Sequence, residues 1–143
     1  MMDYEKLRNH RNKINAFANM LGLSITEIGD GYARSEMPVS SRHLNPIGSV
    51  HGGCLFTIAD VTCGAAASSH GCAITTVDGN LHYLRAAIDA TCLYGEAREL
   101  KYGKRLSVYE ISITDQDGHL LTSGIFTFMS MGTSILSEDE IEE

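Results

Sequence analysis

The stretch NPIGSVHGGCLFTIADVTCGAAASSHG, residues 45–71, decides the fold, because it contains the most apolar helical segment of the chain. Residues 52–69 are apolar on nearly every side. We therefore expect a helix that the rest of the protein encloses on most of its circumference. Asp60 lies in the middle of this segment. An ionised carboxylate in such surroundings is costly unless it is paired or takes part in chemistry.

The helix starts at a pair of glycines, Gly52 and Gly53, that directly follow His51. The first N–H groups of a helix have no partner within the helix, and the helix dipole favours negative charge there. Glycine also lets a ligand approach the backbone closely. An acid together with such a turn indicates hydrolysis of an acyl group, with the Gly52 N–H holding the oxyanion that develops.

The spacing of these two features points to a second chain. Gly52 and Asp60 are eight positions apart, which on one helix corresponds to about 12 Å. Groups so far apart cannot both reach one carbonyl. If they serve one reaction, an antiparallel helix from a two-fold-related copy must bring its own Asp60 to Gly52, so we expect a homodimer with two shared sites.

Further polar residues complete the candidate site. Asp60 would act as general base on a water, or as a nucleophile that forms a mixed anhydride, and the sequence does not separate the two. The amide of Asn45 can orient a carbonyl or a water, and the hydroxyl of Thr76 can position a water.

Each of these residues also has a structural explanation. Asp60 could pair with an arginine such as Arg85 or Arg98. His51 could order the helix start through its side chain rather than take part in catalysis. Asn45 is followed by proline, which is common in turns.

The rest of the chain is predicted to surround this helix. Residues 4–20 have helical spacing of apolar residues and end before Gly22. Strands are expected at 23–28, 31–38, 73–86, 90–101, 104–115 and 119–131. The short turns between the last four strands indicate an antiparallel meander. The predicted fold class is α+β, with a long central helix wrapped by a curved antiparallel sheet of about six strands and an additional N-terminal helix.

Composition limits the possible functions. The 143 residues fit one domain, residues 1–136, followed by a solvated acidic tail, 137–143. The net charge of −7 becomes −2 without the five acids of that tail, and no basic stripe suggests nucleic acid. No apolar run reaches the roughly 20 residues that span a membrane. No C-x-x-C pair is present, so we expect reduced cysteines, no metal and a cytoplasmic protein.

The segment from Asn45 to Gly53, followed by Phe56, Ala59 and Asp60, resembles the N-x-x-G-x-x-H-G-G…A-D signature of hotdog-fold acyl-CoA thioesterases. The phenylacetate-pathway (PaaI-like) group matches best, and TVDGNLHYLRAA, residues 76–87, resembles its strand after the central helix. The resemblance covers about residues 20–132. It implies the hotdog fold and hydrolysis of a fatty or aromatic acyl-CoA, in dimers that pair into tetramers, without a metal or other cofactor.

The resemblance also implies roles for individual residues. It places the carboxylate at Asp60, the oxyanion N–H at Gly52, the orienting amide at Asn45 and the water-positioning hydroxyl at Thr76, with a supporting role for His51. Two departures are Ala86, where many relatives have proline, and Gly64, where some relatives carry a polar side chain.

Coenzyme A carries phosphates, and Arg85, Lys104 and Arg105 are the candidates to bind them. Lys104 and Arg105 could equally form a solvated hairpin tip. Two other functions compete with hydrolysis. One is a non-catalytic acyl-CoA-binding module. The other is a hydratase or dehydratase, which would need a histidine–acid pair to move a proton at carbon.

Overall fold

A computed structural model of the chain describes residues 1–137 and residue 140. All predicted strands and the central helix are present, and their ends differ from the predicted ones by a few residues. The elements are α1 Tyr4–Ile14, α2 Ala16–Leu21, β1 Ser24–Gly29, β2 Tyr32–Pro38, a short 3-10 turn Ser41–His43, α3 Gly52–Ser68, β3 Cys72–Tyr83, β4 Cys92–Tyr102, β5 Leu106–Asp115 and β6 Leu120–Ser134.

The six strands form one antiparallel sheet in the order β1-β2-β4-β5-β6-β3. Helix α3 packs against strands from both halves of this sheet, and its inward side is fully buried, for example at Ile58, Ala59 and Cys63. A highly twisted sheet curled around one apolar helix buries both. The predicted α+β class and architecture are confirmed.

The predicted four-strand meander is wrong in one respect. Strands β4, β5 and β6 do follow one another as neighbours, but β3 pairs with β6 and lies at the sheet edge. Residues 84–91 are not a tight turn. They run beside the segment before α3, where Val50 donates a backbone hydrogen bond to Ala87 and Val39 donates one to Thr91. The strand that carries Thr76 is therefore an edge strand.

The predicted N-terminal helix is divided in two at Asn15. The Asn15 side chain accepts a hydrogen bond from the backbone N–H of Ala18 and so caps a second, short helix. Asparagine side chains compete in this way with the helical backbone, which explains the break. The end at Gly22 is confirmed, with Gly22 at a φ of 76°.

The predicted acidic tail lies outside the described residues except for Ser137 and Glu140. The Glu140 carboxylate accepts hydrogen bonds from Ser137 and lies 2.6 Å from His10 Nδ1. The four cysteines are unbridged, and Cys54 and Cys63 are buried as expected. Within the described part of the chain, no helix is long and apolar enough to cross a membrane.

Candidate active site

The start of α3 leaves one of its two glycine N–H groups without a partner. His51 is the N-cap, and its Nδ1 accepts a hydrogen bond of 2.8 Å from the Gly53 N–H. The His51 side chain therefore orders the start of the helix, which was one of the two roles that the sequence analysis left open for it. The Gly52 N–H donates to no acceptor among the described residues. It remains available to an external oxygen at the positive end of the helix.

Tyr83, which sequence reasoning did not single out, fixes the Gly52 peptide. Its hydroxyl donates a hydrogen bond of 3.0 Å to the Gly52 carbonyl oxygen. Its ring lies 3.4 Å from the point that a Cβ at position 52 would occupy. A methyl group at position 52 would therefore be in van der Waals contact with the tyrosine ring. The only indication of Tyr83 in the sequence was that it is an aromatic residue within residues 76–87, the segment that resembles the family's strand after the central helix.

The amide of Asn45 is engaged by its own loop. Its oxygen accepts from the N–H groups of Ile47 and Ser49, and its nitrogen donates to the Ser49 hydroxyl at 2.7 Å. This loop-ordering role is the turn chemistry that the sequence left open as an alternative. It leaves the second hydrogen of the amide nitrogen for another acceptor.

A cleft of about 320 Å³ lies in front of the helix start. The cleft is lined by Asn45, Gly52 and Arg85, to which we assigned different roles from the sequence. Leu55 and Tyr83 also line it. Arg85 is exposed at its side. A cation beside an open helix N-terminus forms a surface suited to phosphate or carboxylate groups.

Asp60 and Thr76 form a second group, separate from this cleft. The Thr76 hydroxyl donates a hydrogen bond of 2.6 Å to Asp60 Oδ1, and Asp60 is half-buried. The register of β3 against β6 shifts between Thr76 and Asp78, and such a bulge re-aims a neighbouring side chain. Neither Asp60 nor Thr76 lines the cleft at Gly52. One chain therefore presents the acid and the free N–H at different places.

Neither of the arginines suggested as partners for Asp60 fills that role. Arg98 pairs with Glu96, and Arg85 lies at the cleft. The arginine close to Asp60 is Arg11 of α1, which sequence reasoning missed. Burial lowers the pKa of Arg11 to about 10, and the Asp60 carboxylate acts in the opposite direction and raises it. Between described residues the two side chains form no ion pair within 4 Å.

Lys104 and Arg105 lie in the turn between β4 and β5 and are exposed. They do not line the cleft at Gly52. The structure therefore joins only Arg85, of the three candidates for phosphate binding, to the candidate site within one chain.

The comparisons with known proteins identify the family of the chain. The family description Thioesterase superfamily matches residues 47–122, a range that includes Gly52, Asp60 and Thr76. The chain belongs to the thioesterase superfamily. Among its relatives, the acyl-coenzyme A thioesterase PaaI of Escherichia coli K12 is 34% identical over 101 residues, which are 71% of this chain and 72% of that protein.

Solved structures place the thioesterase among the PaaI-like hotdog proteins. The E. coli PaaI protein from the phenylacetic acid degradation operon superimposes with a TM-score of 0.83 at 28% identity, over 91% of this chain and 99% of that chain. A hypothetical thioesterase protein from Streptococcus pneumoniae TIGR4, solved with coenzyme A, has a TM-score of 0.73 at 28% identity, over 78% and 88% of the two chains. The hotdog fold expected from the sequence is confirmed.

Proposed function

We propose that the thioesterase hydrolyses an acyl-CoA thioester to the free acid and coenzyme A, at a site shared by two copies of the chain. The observation that carries this proposal is the division of the chemistry within one chain. Asp60 of α3, hydrogen-bonded to Thr76 of β3, lies at one place, and the Gly52 N–H, which has no partner among the described residues, lies at another. A second chain would bring the missing half to each of them.

The edge of the sheet supports pairing between two copies. Strand β3 spans twelve residues and has a neighbour on one side only. A long edge strand with free backbone groups pairs readily with another chain. Large apolar side chains lie exposed along this region and on the adjoining surface of α3, namely Phe56, Val77, Tyr83, Leu84 and Ile88. An antiparallel arrangement of two such edges would cover them and bring each Asp60 towards the partner's Gly52.

The proposed reaction divides between the two halves. The Gly52 N–H would polarise the thioester carbonyl by a hydrogen bond to its oxygen. This hydrogen bond strengthens as the tetrahedral intermediate forms and the oxygen becomes an oxyanion. Asp60 would take a proton from the attacking water, or attack the carbonyl carbon itself to give a mixed anhydride that water then cleaves. In either route the C–S bond breaks and coenzyme A leaves as the thiolate. Because the Thr76 hydroxyl donates its hydrogen bond to Asp60, its oxygen can accept a hydrogen bond from the water.

Arg85 is the residue we propose for a phosphate of coenzyme A, since it stands at the cleft beside Gly52. Lys104 and Arg105 would contribute only if the partner's hairpin reaches that cleft. The cytoplasmic location and a pairing of dimers into tetramers remain expectations from the sequence and its family. The hydratase alternative loses support, because Asp60 is bonded to Thr76 and the Nδ1 of His51 accepts the Gly53 N–H.

A mixing experiment tests the shared site. Asn45→Ala damages the half that contains Gly52, and Asp60→Ala removes the other half, so each variant alone is expected to be nearly inactive. After unfolding and refolding together, half of the dimers would be mixed and each would carry one intact site. We expect recovery of about a quarter of wild-type thiol release from an acyl-CoA panel. Absence of recovery, with mixed dimers verified by distinct tags, would reject the cross-chain geometry.

The same panel separates an enzyme from a binding module. Wild-type protein is expected to release coenzyme A from at least one short, long or aromatic acyl-CoA, detected with a thiol reagent. Tight acyl-CoA binding measured by calorimetry, without any thiol release, would instead favour the non-catalytic module.

A further inference from the structure

Phe56 is the only large side chain that α3 presents to its surroundings between the two positions of the proposed reaction. Of the residues between Gly52 and Asp60, only Gly53, Phe56 and Thr57 are not buried in the fold. Gly53 has no side chain, and Thr57 has a small one, whose hydroxyl donates a hydrogen bond to the Gly53 carbonyl. Phe56 is 38% exposed. Its ring therefore determines the shape of this stretch of the helix surface.

The Phe56 ring is supported from behind by the ring of Phe126. The two ring centroids lie 5.2 Å apart and the ring planes are tilted by 56°, within the range that aromatic pairs favour. Phe126 of β6 is fully buried and packs on Gly79 of β3, where an added Cβ would stand 2.5 Å from its ring. Because Phe126 has no room to move inward, it holds Phe56 with its other face towards the surroundings.

Helix geometry places Phe56 at the two-fold axis of the proposed dimer. Phe56 is four positions from Gly52 and four from Asp60, which corresponds to about 6 Å along the helix in each direction. At about 100° per residue, it also lies midway between them around the helix. If Asp60 meets the partner's Gly52 and the reverse contact forms as well, symmetry brings Phe56 opposite the partner's Phe56.

The position of the coenzyme A cleft determines the direction of the acyl group. The cleft with Arg85 lies in front of the helix start. In an antiparallel pair, the partner's cleft therefore lies beyond Asp60, on the side away from Phe56. A thioester held between Asp60 and the partner's Gly52, with its coenzyme A in that cleft, directs its acyl group the other way, along α3 towards Phe56. Both acyl groups of the dimer then converge on the two Phe56 rings.

Resting on the proposed function, we infer that Phe56 is a specificity-determining residue, which together with the partner's Phe56 forms the end wall of both acyl sites. The distance from the thioester carbonyl to this wall is about 6 Å along the helix. With C–C bonds of about 1.5 Å in a zigzag, an extended chain covers that distance in about five bonds. The site therefore selects short acyl groups, of about six carbons along their length.

A series of saturated acyl-CoAs of four to ten carbons tests the inference. We expect kcat/KM of the wild type to fall beyond about six carbons. Phe56→Ala removes the wall, so the ratio of kcat/KM for the ten-carbon substrate to that for the six-carbon substrate should rise at least about 10-fold, because each further methylene that is buried adds to binding. Thiol release measures both quantities.

Phe17→Ala is the matched control. Phe17 of α2 is also exposed, and it lines a separate cleft with His51 and Gly53. The control makes the same change of side chain outside the proposed path of the acyl group, so it should leave the dependence on chain length as it is in the wild type. Thermal unfolding of both alanine variants verifies that they fold.

A cross-link tests the position of Phe56 without relying on activity. A disulfide needs Cα atoms about 4.4–6.8 Å apart, which facing residues of two closely packed helices can reach. Mild oxidation of Phe56→Cys should therefore link two chains, seen as a dimer under non-reducing denaturing conditions. Phe17→Cys and the wild type, whose own four cysteines are free, should remain single chains.

Three results would overturn the inference. An unchanged ratio in folded Phe56→Ala would place the end of the acyl site elsewhere. A shift of the ratio in Phe17→Ala instead would move the acyl group to the cleft at α2. Absence of the cross-link in Phe56→Cys would remove Phe56 from the two-fold axis. These results leave hydrolysis itself intact, whereas thiol release from no acyl-CoA in this series or the broader panel would remove the proposed function as well.

Discussion

The two sides of helix α3 differ in how they treat polar groups. On the side facing β2 and β4, the Thr62 hydroxyl donates to the Ile58 carbonyl and lies 2.6 Å from the Ser35 hydroxyl, so each polar atom has a partner inside the fold. A Cβ at Gly95 would stand 2.5 Å from Ser35 Oγ and 2.8 Å from Thr62 Oγ1. On the opposite side Asp60 is half-buried, and Arg11 Nε has no hydrogen-bond partner in the described part of the chain.

This difference distinguishes residues that stabilise the fold from residues that are available to bind a ligand. A buried polar group costs free energy unless it is paired, and native proteins pair nearly all of them. The Thr62 and Ser35 hydroxyls are paired on one side of the helix, whereas among the described residues the Gly52 N–H and the Arg11 Nε have no partner. We therefore expect the substrate on the second side. Changes on the first side should alter stability, and changes on the second should alter catalysis.

The largest effect is expected from Asp60→Asn, which keeps the shape and removes the negative charge. We predict a fall in kcat of at least about 100-fold, because neither a general base nor a nucleophile remains. The free energy of unfolding should fall much less than the rate does, since Asp60 is half-buried and forms no ion pair within the described residues, and its charge acts on the buried Arg11 only from a distance. Thiol release and urea denaturation measure the two quantities. Wild-type turnover in this variant would remove Asp60 from the mechanism.

Gly95→Ala should have the next largest effect, on stability. The added methyl group meets two hydrogen-bonded side chains that cannot easily move, and overpacking of this kind costs about 1–3 kcal/mol. Urea denaturation should show the loss, while kcat of the protein that remains folded stays close to wild type. The double variant Gly95→Ala, Ser35→Ala removes the nearer of the two contacts and should recover part of the loss. An equally unstable double variant would show that the strain lies elsewhere.

Tyr83→Phe should have a smaller effect, a modest fall in kcat/KM, because it changes a residue at the start of α3, between the two sides. It removes the hydrogen bond to the Gly52 carbonyl and keeps the ring against Gly52. One such bond contributes about 1 kcal/mol, so we predict a fall of about 5-fold in kcat/KM. Stability should change by less, since Tyr83 is 53% exposed. Steady-state kinetics on one acyl-CoA measures the first quantity. A loss of stability without a loss of rate would assign Tyr83 to folding alone.

The sequence was sufficient for the elements and for the separation of Asp60 from Gly52, because periodicity and the rise of a helix are local properties. It could not place β3 beyond β6. Short turns predict neighbours along the chain, but the path of residues 84–91 depends on backbone bonds to Val39 and Val50, which are distant in sequence. Arg11 was missed for the same reason. Only the fold, in which α1 packs against β1, brings it to Gly64 of α3, and from the sequence Gly64 could be noted only as a position with unexplained free space.

Gly64→Ala is expected to have the smallest effect. It makes the same change as Gly95→Ala, but on the side of α3 that carries Asp60 (the open side) instead of the side that faces β2 and β4 (the closed side). The nearest atom is again close, at 3.2 Å, but it is the tip of the flexible Arg11 side chain. Replacing glycine by alanine within a helix stabilises it by roughly 0.5–1 kcal/mol. We therefore predict that the free energy of unfolding rises slightly or stays within about 0.5 kcal/mol of wild type. Urea denaturation of both alanine variants compares them directly. A loss at Gly64 as large as at Gly95 would show that Arg11 is held rigidly, and the open side would then be packed like the closed one.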